Sequence, residues 1–196
     1  MNKIHLSGGK LAGGNPSRGR ASQDYYATHE DSTKALLEVE ALISPIWEPA
    51  CGEGHISKVI LKSITNDSSL YSSDLIDRGY GGVWDFLEKE DYSYNTIITN
   101  PPFALFQEFV EHALKLSKDK VIMFGKLQAL EGKKRATFMQ NSPLKTVYVF
   151  KSRQQPLRNG SEIDEFTGKK MNSSTMAFAW FVWEKGYVGK PSIEWI

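Results

Sequence analysis

Three short segments of this 196-residue chain combine residue types that bind or activate ligands. Glu48-Pro49-Ala50-Cys51-Gly52-Glu53-Gly54 carries two glycines spaced to let backbone approach a ligand closely just ahead of a helix. Asp74 follows Gly54 by 20 residues. An acid there, at the end of the next strand, can accept hydrogen bonds from ribose hydroxyls. The order of glycine turn and then strand-end acid favours a nucleoside-containing cofactor, against the plainer reading of a tight turn. Asn100-Pro101-Pro102-Phe103 joins a carboxamide, two rigid prolines and an aromatic ring. A stiff turn would also use Pro-Pro, but this one follows a strand, where an open α/β sheet receives its ligands.

The hydrophobic pattern supplies the elements that must position these segments. Asp31 and Ser32 can cap a helix with the apolar stripe Ala35, Leu36, Val39, Leu42 and Ile43, stopped by Pro45. Residues 46–48 form a short strand, and Ile56, Val59, Ile60, Leu61 and Ile64 mark the buried side of a second helix. Strands are expected at 69–74, 94–99, 120–124 and 145–150, and helices at 105–116 and 131–140. Residues 177–183 are apolar on both faces, the pattern of a central strand covered on two sides, with Trp180 and Trp183 as core on opposite faces. Strands alternating with helices at this spacing predict a doubly wound, mostly parallel α/β sheet with helices on both faces. Strand order does not follow from spacing.

Residues 1–23, with five glycines and Lys3, Lys10, Arg18 and Arg20, read as a flexible basic arm. Residues 24–196 read as a single domain, interrupted near 151–175 by a long polar, basic loop.

The three segments resemble the cofactor and catalytic motifs of S-adenosylmethionine-dependent amino-methyltransferases, and among them the N6-adenine DNA methyltransferases, small phage and prophage members included. Asp24-Tyr25-Tyr26-Ala27-Thr28 is similar to the segment that touches the methionine end of the cofactor in members with this motif order. His29 departs from the proline common at its position. Asp85-Phe86 is similar to the pair beside the cofactor adenine. The resemblance covers roughly residues 24–190. It implies a Rossmann-like class I methyltransferase fold, and S-adenosylmethionine bound by Tyr26, Thr28, Glu48, Pro49, Ala50, Cys51, Gly52, Gly54, Asp74, Leu75, Asp85, Phe86 and Asn100. Catalysis falls to Asn100, Pro101, Pro102 and Phe103.

The chemistry of those four residues agrees. Adenine N6 is a poor nucleophile because its lone pair is delocalised into the ring. Acceptors aimed at its hydrogens, the Asn100 carboxamide oxygen and a backbone carbonyl of the Pro101-Pro102 turn, can draw the nitrogen toward a tetrahedral state. Phe103 offers a stacking face to an extruded base, worth about 1–3 kcal/mol. No metal is needed.

Composition bounds the setting. Hydrophobic residues make up 40% and charged residues 24%, ordinary globular usage, and no run of apolar residues reaches membrane-spanning length. One cysteine, Cys51, permits no internal disulfide or cysteine-built zinc site. A bacterial or phage-infected cytoplasm is the expected location. Net charge is +1, but residues 120–170 hold 11 basic and 4 acidic side chains, while residues 24–119 hold 7 and 17. Lys126, Lys133, Lys134, Arg135, Lys151, Arg153, Arg158, Lys169 and Lys170 could therefore line a phosphate path on DNA, or simply interleave with acids on one surface. The chain has no room for a separate recognition domain, so a short or relaxed target is expected. Methylation of RNA adenine or of a protein glutamine amide is the alternative within this chemistry. A nucleic-acid-binding module that has lost catalysis is the alternative outside it.

Overall fold

The computed structural model describes residues 25–163, Gly168 and residues 176–196. The basic arm, Lys169 and Lys170 lie outside them.

The described residues form ten strands and four α-helices: β1 (Tyr26–Ala27), α1 (Glu30–Leu37), β2 (Ile46–Glu48), α2 (His55–Ser63), β3 (Leu70–Asp74), β4 (Gly82–Val83), β5 (Thr96–Thr99), α3 (Phe106–Leu116), β6 (Lys120–Lys126), α4 (Lys133–Asn141), β7 (Leu144–Val149), β8 (Leu157–Arg158), β9 (Phe178–Glu184) and β10 (Ser192–Trp195). Eight of the strands form one sheet in the order β10-β7-β9-β6-β5-β2-β3-β4. Only β9 runs antiparallel to its neighbours. The remaining two, β1 and β8, make a separate two-stranded antiparallel sheet.

Side-chain alternation splits the core into two layers. Trp47, Ile97, Val121, Met123, Phe181 and Trp183 face α3, whose stripe Phe106, Phe109, Val110, Ala113 and Leu116 repeats at helical spacing. Ile46, Ile98, Ile122, Phe124, Trp180 and Val182 face Leu36 of α1 and Ile56 and Ile60 of α2. The two tryptophans of β9 thus sit in opposite layers, fully buried, as the sequence pattern predicts.

Two helix expectations need correction. α1 begins one residue before Asp31, capped by His29, whose Nδ1 accepts the Asp31 N–H at 3.2 Å, and it stops at Leu37 rather than running to Pro45. Val39 and Ile43 are exposed. The chain leaves the helix because Glu40 is drawn to Lys120 and to Tyr148, and Ile43 N–H to Thr96 Oγ1 at 3.0 Å. In α2, Leu61 is exposed, and only Ile56, Val59 and Ile60 of the expected stripe are fully buried.

Strand order locates the crevice. The chain moves outward from β2 through β3 to β4 on one side, then restarts at β5 on the other side of β2. A ligand site is expected where that direction reverses, beyond the carboxyl ends of β2 and β5. Glu48 ends the first and Thr99-Asn100 the second.

Candidate active site

A cavity of about 190 Å³ opens at this switch point. It is lined by Tyr26, Thr28, Glu48, Pro49, Ala50, Cys51, Asp74, Leu75, Asp85, Phe86, Asn100, Pro101, Pro102 and Phe103, the expected residues except for the two glycines. Gly52 and Gly54 form the turn at its edge, both in the left-handed region (φ 55° and 78°) that favours glycine. Each is also crowded: a Cβ on Gly52 would overlap the Tyr25 ring, and one on Gly54 the Tyr80 ring.

The glycine turn is tied to β3. Cys51 N–H donates to the Ser73 carbonyl at 2.9 Å, and Gly52 N–H donates to Asp74 Oδ2 at 2.8 Å. The other carboxylate oxygen of Asp74 accepts Ile76 N–H at 3.0 Å, closing a tight side-chain turn at the end of β3. Each oxygen retains a second lone pair for a ligand hydroxyl.

Glu48 plays a different part from its neighbours in sequence. Its buried carboxylate accepts Ser57 N–H at 2.9 Å and the Ser57 hydroxyl. Ser57 is the third residue of α2, whose N-cap, Gly54, has no side chain to offer, so Glu48 caps that helix from across the turn. Burial raises its pKa to about 8, against the pull of the Ser57 bonds. Burial likewise lifts the Cys51 thiol to about 12, which excludes a ready thiolate nucleophile.

Asn100 is clamped by β1. Its Nδ2 donates to the Tyr26 carbonyl at 2.7 Å and to Thr28 Oγ1 at 3.0 Å. A carbonyl can only accept, so these bonds fix which end of the carboxamide is nitrogen. Oδ1 points away with no hydrogen-bond donor among the described residues. Beside it, the Pro102 carbonyl accepts Leu105 N–H at 2.8 Å, which leaves the Pro101 carbonyl as the acceptor of the proline turn.

Phe103 is more enclosed than an open stacking platform. Tyr26 stacks on it at 5.9 Å, Phe178 lies at 5.7 Å, and Lys126 Nζ stands 4.6 Å from the ring centroid. Lys126 therefore stands beside the aromatic ring of the proline turn. Phe86 is 2% exposed and packs edge-on against Trp47, presenting only part of itself to the cavity. Asp85 caps the 3₁₀ turn of Phe86–Glu88 through Leu87 N–H at 2.9 Å.

Five of the other expected basic residues leave the sheet at the same edge. β5, β6 and β7 run in one direction, so Lys133, Lys134 and Arg135, which follow β6, and Lys151 and Arg153, which follow β7, leave the sheet on the side of Asn100. All five are exposed. The 151–175 segment is not wholly loop: β8 pairs with β1, Ala27 opposite Leu157 and Tyr26 opposite Arg158. Part of the basic segment is thereby fastened to β1.

Sequence reasoning passed over Arg78, which lines the cavity and lies over the Tyr25 ring at 4.1 Å. The available signal was an arginine set among glycines and aspartates just beyond a strand end. Among the described residues no group of three or more His, Cys, Asp or Glu side chains could hold a metal ion, and no helix is long and apolar enough to cross a membrane.

Solved structures share this architecture at low sequence identity. The methyltransferase subunit of a type I restriction-modification system from Streptococcus thermophilus aligns with a TM-score of 0.54 at 10% identity, over 80% of this chain and 43% of its own. A protein from Vibrio vulnificus assigned as the modification subunit of a type I restriction enzyme gives 0.54 at 10%, over 88% and 47%. The fold is that of the class I methyltransferases. A Listeria monocytogenes protein assigned as a class I S-adenosylmethionine-dependent methyltransferase gives 0.54 at 12%, over 93% and 67%. The chain spans less than half the length of the two restriction-system subunits. No protein-family model and no curated protein matches it.

Proposed function

We propose that this protein transfers a methyl group from S-adenosylmethionine to the N6 amino group of adenine in DNA. The orientation of Asn100 carries the reading. Both hydrogens of its amide nitrogen are spent on Tyr26 and Thr28, so only the oxygen can meet the acceptor, and an oxygen selects an acceptor that carries N–H. The Pro101 carbonyl offers a second such contact, stiffened by two proline rings. Two acceptors aimed at one amino group pull it toward tetrahedral geometry and free its lone pair, with no reorganisation during the reaction.

The cavity residues fit the cofactor. Asp74 keeps lone pairs for ribose hydroxyls, Phe86 and Leu87 supply an apolar wall beside Asp85, and Thr28 and Asn100 border the reacting end. When bound, the cofactor supplies an activated methyl on a sulfonium. The contribution left to the chain is alignment of the two reactants, with water kept out by the aromatic side chains around Phe103.

DNA is favoured by the cations that share the Asn100 edge of the sheet, from Lys126 to Arg153. Two fold neighbours are also named as subunits of type I restriction systems. The exposed lysines and arginines suit phosphate contact, which positions a duplex without specifying its sequence, so a short or relaxed target goes with this reading.

The test is incubation with labelled cofactor and separate duplex DNA, RNA and glutamine-containing peptide, followed by mapping of the modified atoms. Label at adenine N6 of DNA is expected. Label confined to RNA or peptide would replace the substrate, and cofactor binding without transfer to any acceptor would leave a binding module.

A further inference from the structure

The cavity is acidic, with Asp74 and Asp85 on its walls beside a Glu48 that burial keeps largely protonated near pH 7, and among the described residues lining it Arg78 is the one permanent cation. His55 does not add another, because burial lowers its pKa below the ordinary histidine value and keeps the ring neutral near pH 7. On the reading above, the ligand carries two positive centres and one negative one: a sulfonium, an ammonium and a carboxylate. The acids suit the first two. The carboxylate needs a cation.

Position narrows the choice further. The methyl-bearing sulfur must lie within reach of Asn100, and Asn100 is bonded to Tyr26 and Thr28. The amino-acid arm leaves that sulfur, so its carboxylate must come to rest a few ångströms from β1. Tyr25 immediately precedes β1, its ring covers Gly52, and its hydroxyl accepts Glu53 N–H at 3.2 Å. Arg78 lies over that ring and also lines the cavity.

The loop after β3 is built to deliver it. Asp74 Oδ1 accepts Ile76 N–H and Asp77 Oδ1 accepts Gly79 N–H at 2.9 Å, two successive side-chain turns in a loop whose Leu75, Ile76 and Arg78 line the cavity. The guanidinium carbon lies 4.1 Å from the ring centroid, and a guanidinium carries its N–H donors in the fork that matches a carboxylate. Burial also holds the Tyr25 hydroxyl up at about 12, so the ring beneath stays neutral and does not cancel the charge.

We propose that Arg78, held on the Tyr25 ring at the glycine turn, anchors the carboxylate of the cofactor's amino-acid arm. The proposal rests on the reading of the cavity as an S-adenosylmethionine site. Its test is calorimetric titration of the wild type, Arg78→Met and Arg78→Lys with S-adenosylhomocysteine and with 5′-methylthioadenosine, which lacks the amino-acid arm. The wild type is expected to bind the first more tightly than the second. Arg78→Met is expected to lose about 10- to 100-fold in affinity for S-adenosylhomocysteine while its affinity for 5′-methylthioadenosine stays within twofold, so the difference between ligands closes. Arg78→Lys, which keeps charge without the fork, is expected to fall between. Unchanged S-adenosylhomocysteine affinity in Arg78→Met would overturn the proposal, and so would an equal loss for both ligands, which marks a merely structural role. Failure of the wild type to bind either ligand would instead refute the reading of the cavity itself.

Discussion

If the carboxamide of Asn100 acts by orientation, loosening its clamp must matter only while the carboxamide is there. Thr28→Val is the mild perturbation. It keeps the shape of a buried side chain and removes the 3.0 Å bond to Nδ2, while the 2.7 Å bond to the Tyr26 carbonyl remains. A neutral buried hydrogen bond is worth about 0.5–1.5 kcal/mol net, which corresponds to roughly 2- to 12-fold in rate if the loss appears wholly in the transition state. Asn100→Ala removes the acceptor itself and should cost about 100- to 1000-fold, the range seen for one preorganised electrostatic contact. The assay is single-turnover methyl transfer at saturating cofactor, so changes in cofactor affinity drop out. Thr28→Val should slow the wild type severalfold and leave the residual rate of Asn100→Ala unchanged, giving a coupling energy close to the whole effect of the single substitution. An equal slowing in both backgrounds would show that Thr28 acts apart from Asn100, and the orientation argument would fail.

Three further outcomes rest on other parts of the molecule. Asp74→Ala should weaken cofactor binding by about 1.5–3 kcal/mol and also lower the melting temperature, because Gly52 and Ile76 lose their acceptor; calorimetry and thermal unfolding measure the two effects separately. Glu48 has a folded pKa of about 8 against an ordinary 4.5, so the folded state holds a proton that the unfolded state has released: its contribution to stability is greatest below pH 4.5 and declines as pH rises toward 8, by at most about 1.4 kcal/mol per unit. Urea titrations of the wild type and Glu48→Gln between pH 5 and 8 should show the decline only in the wild type. Replacing Lys133, Lys134 and Arg135 together with glutamine should flatten the salt dependence of DNA binding by roughly one unit of slope for each phosphate no longer neutralised, and equally on unrelated duplexes; weakening confined to one sequence would mean that these side chains read bases.

The parts of the fold that were legible in the sequence are those whose signal is local. The stripe Phe106 to Leu116 and the apolar run of β9 each bury a regular face, and periodicity reports that directly. The strand-end motifs were legible for the same reason: each lies within a few residues of the strand that carries it. Elements set by distant partners left no such trace. β1 and β8 are two residues long, too short for any period, and exist because each pairs with the other across more than a hundred residues. β10 is a fully exposed edge strand whose residues lack an alternating pattern of burial. The early end of α1 depends on Lys120 and Tyr148, which nothing near Glu40 announces.

Glu48 marks the boundary between these cases within the site itself. Its position at the end of β2 was readable, and so was the glycine turn after it. The direction of its carboxylate was not, because that depends on an unmet demand in α2: a helix begun by Gly54 has no side chain at its start to receive the Ser57 N–H. The carboxylate on the floor of the turn supplies that acceptor, and in doing so it leaves water and takes on a raised pKa. The glycine that lets backbone approach a ligand therefore obliges a buried carboxylate behind it. The reacting groups in front, Asn100 and the proline turn, are held by a separate set of bonds from β1. Because the two supports share no residue, substitutions at Glu48 should register in stability and substitutions at Thr28 in rate.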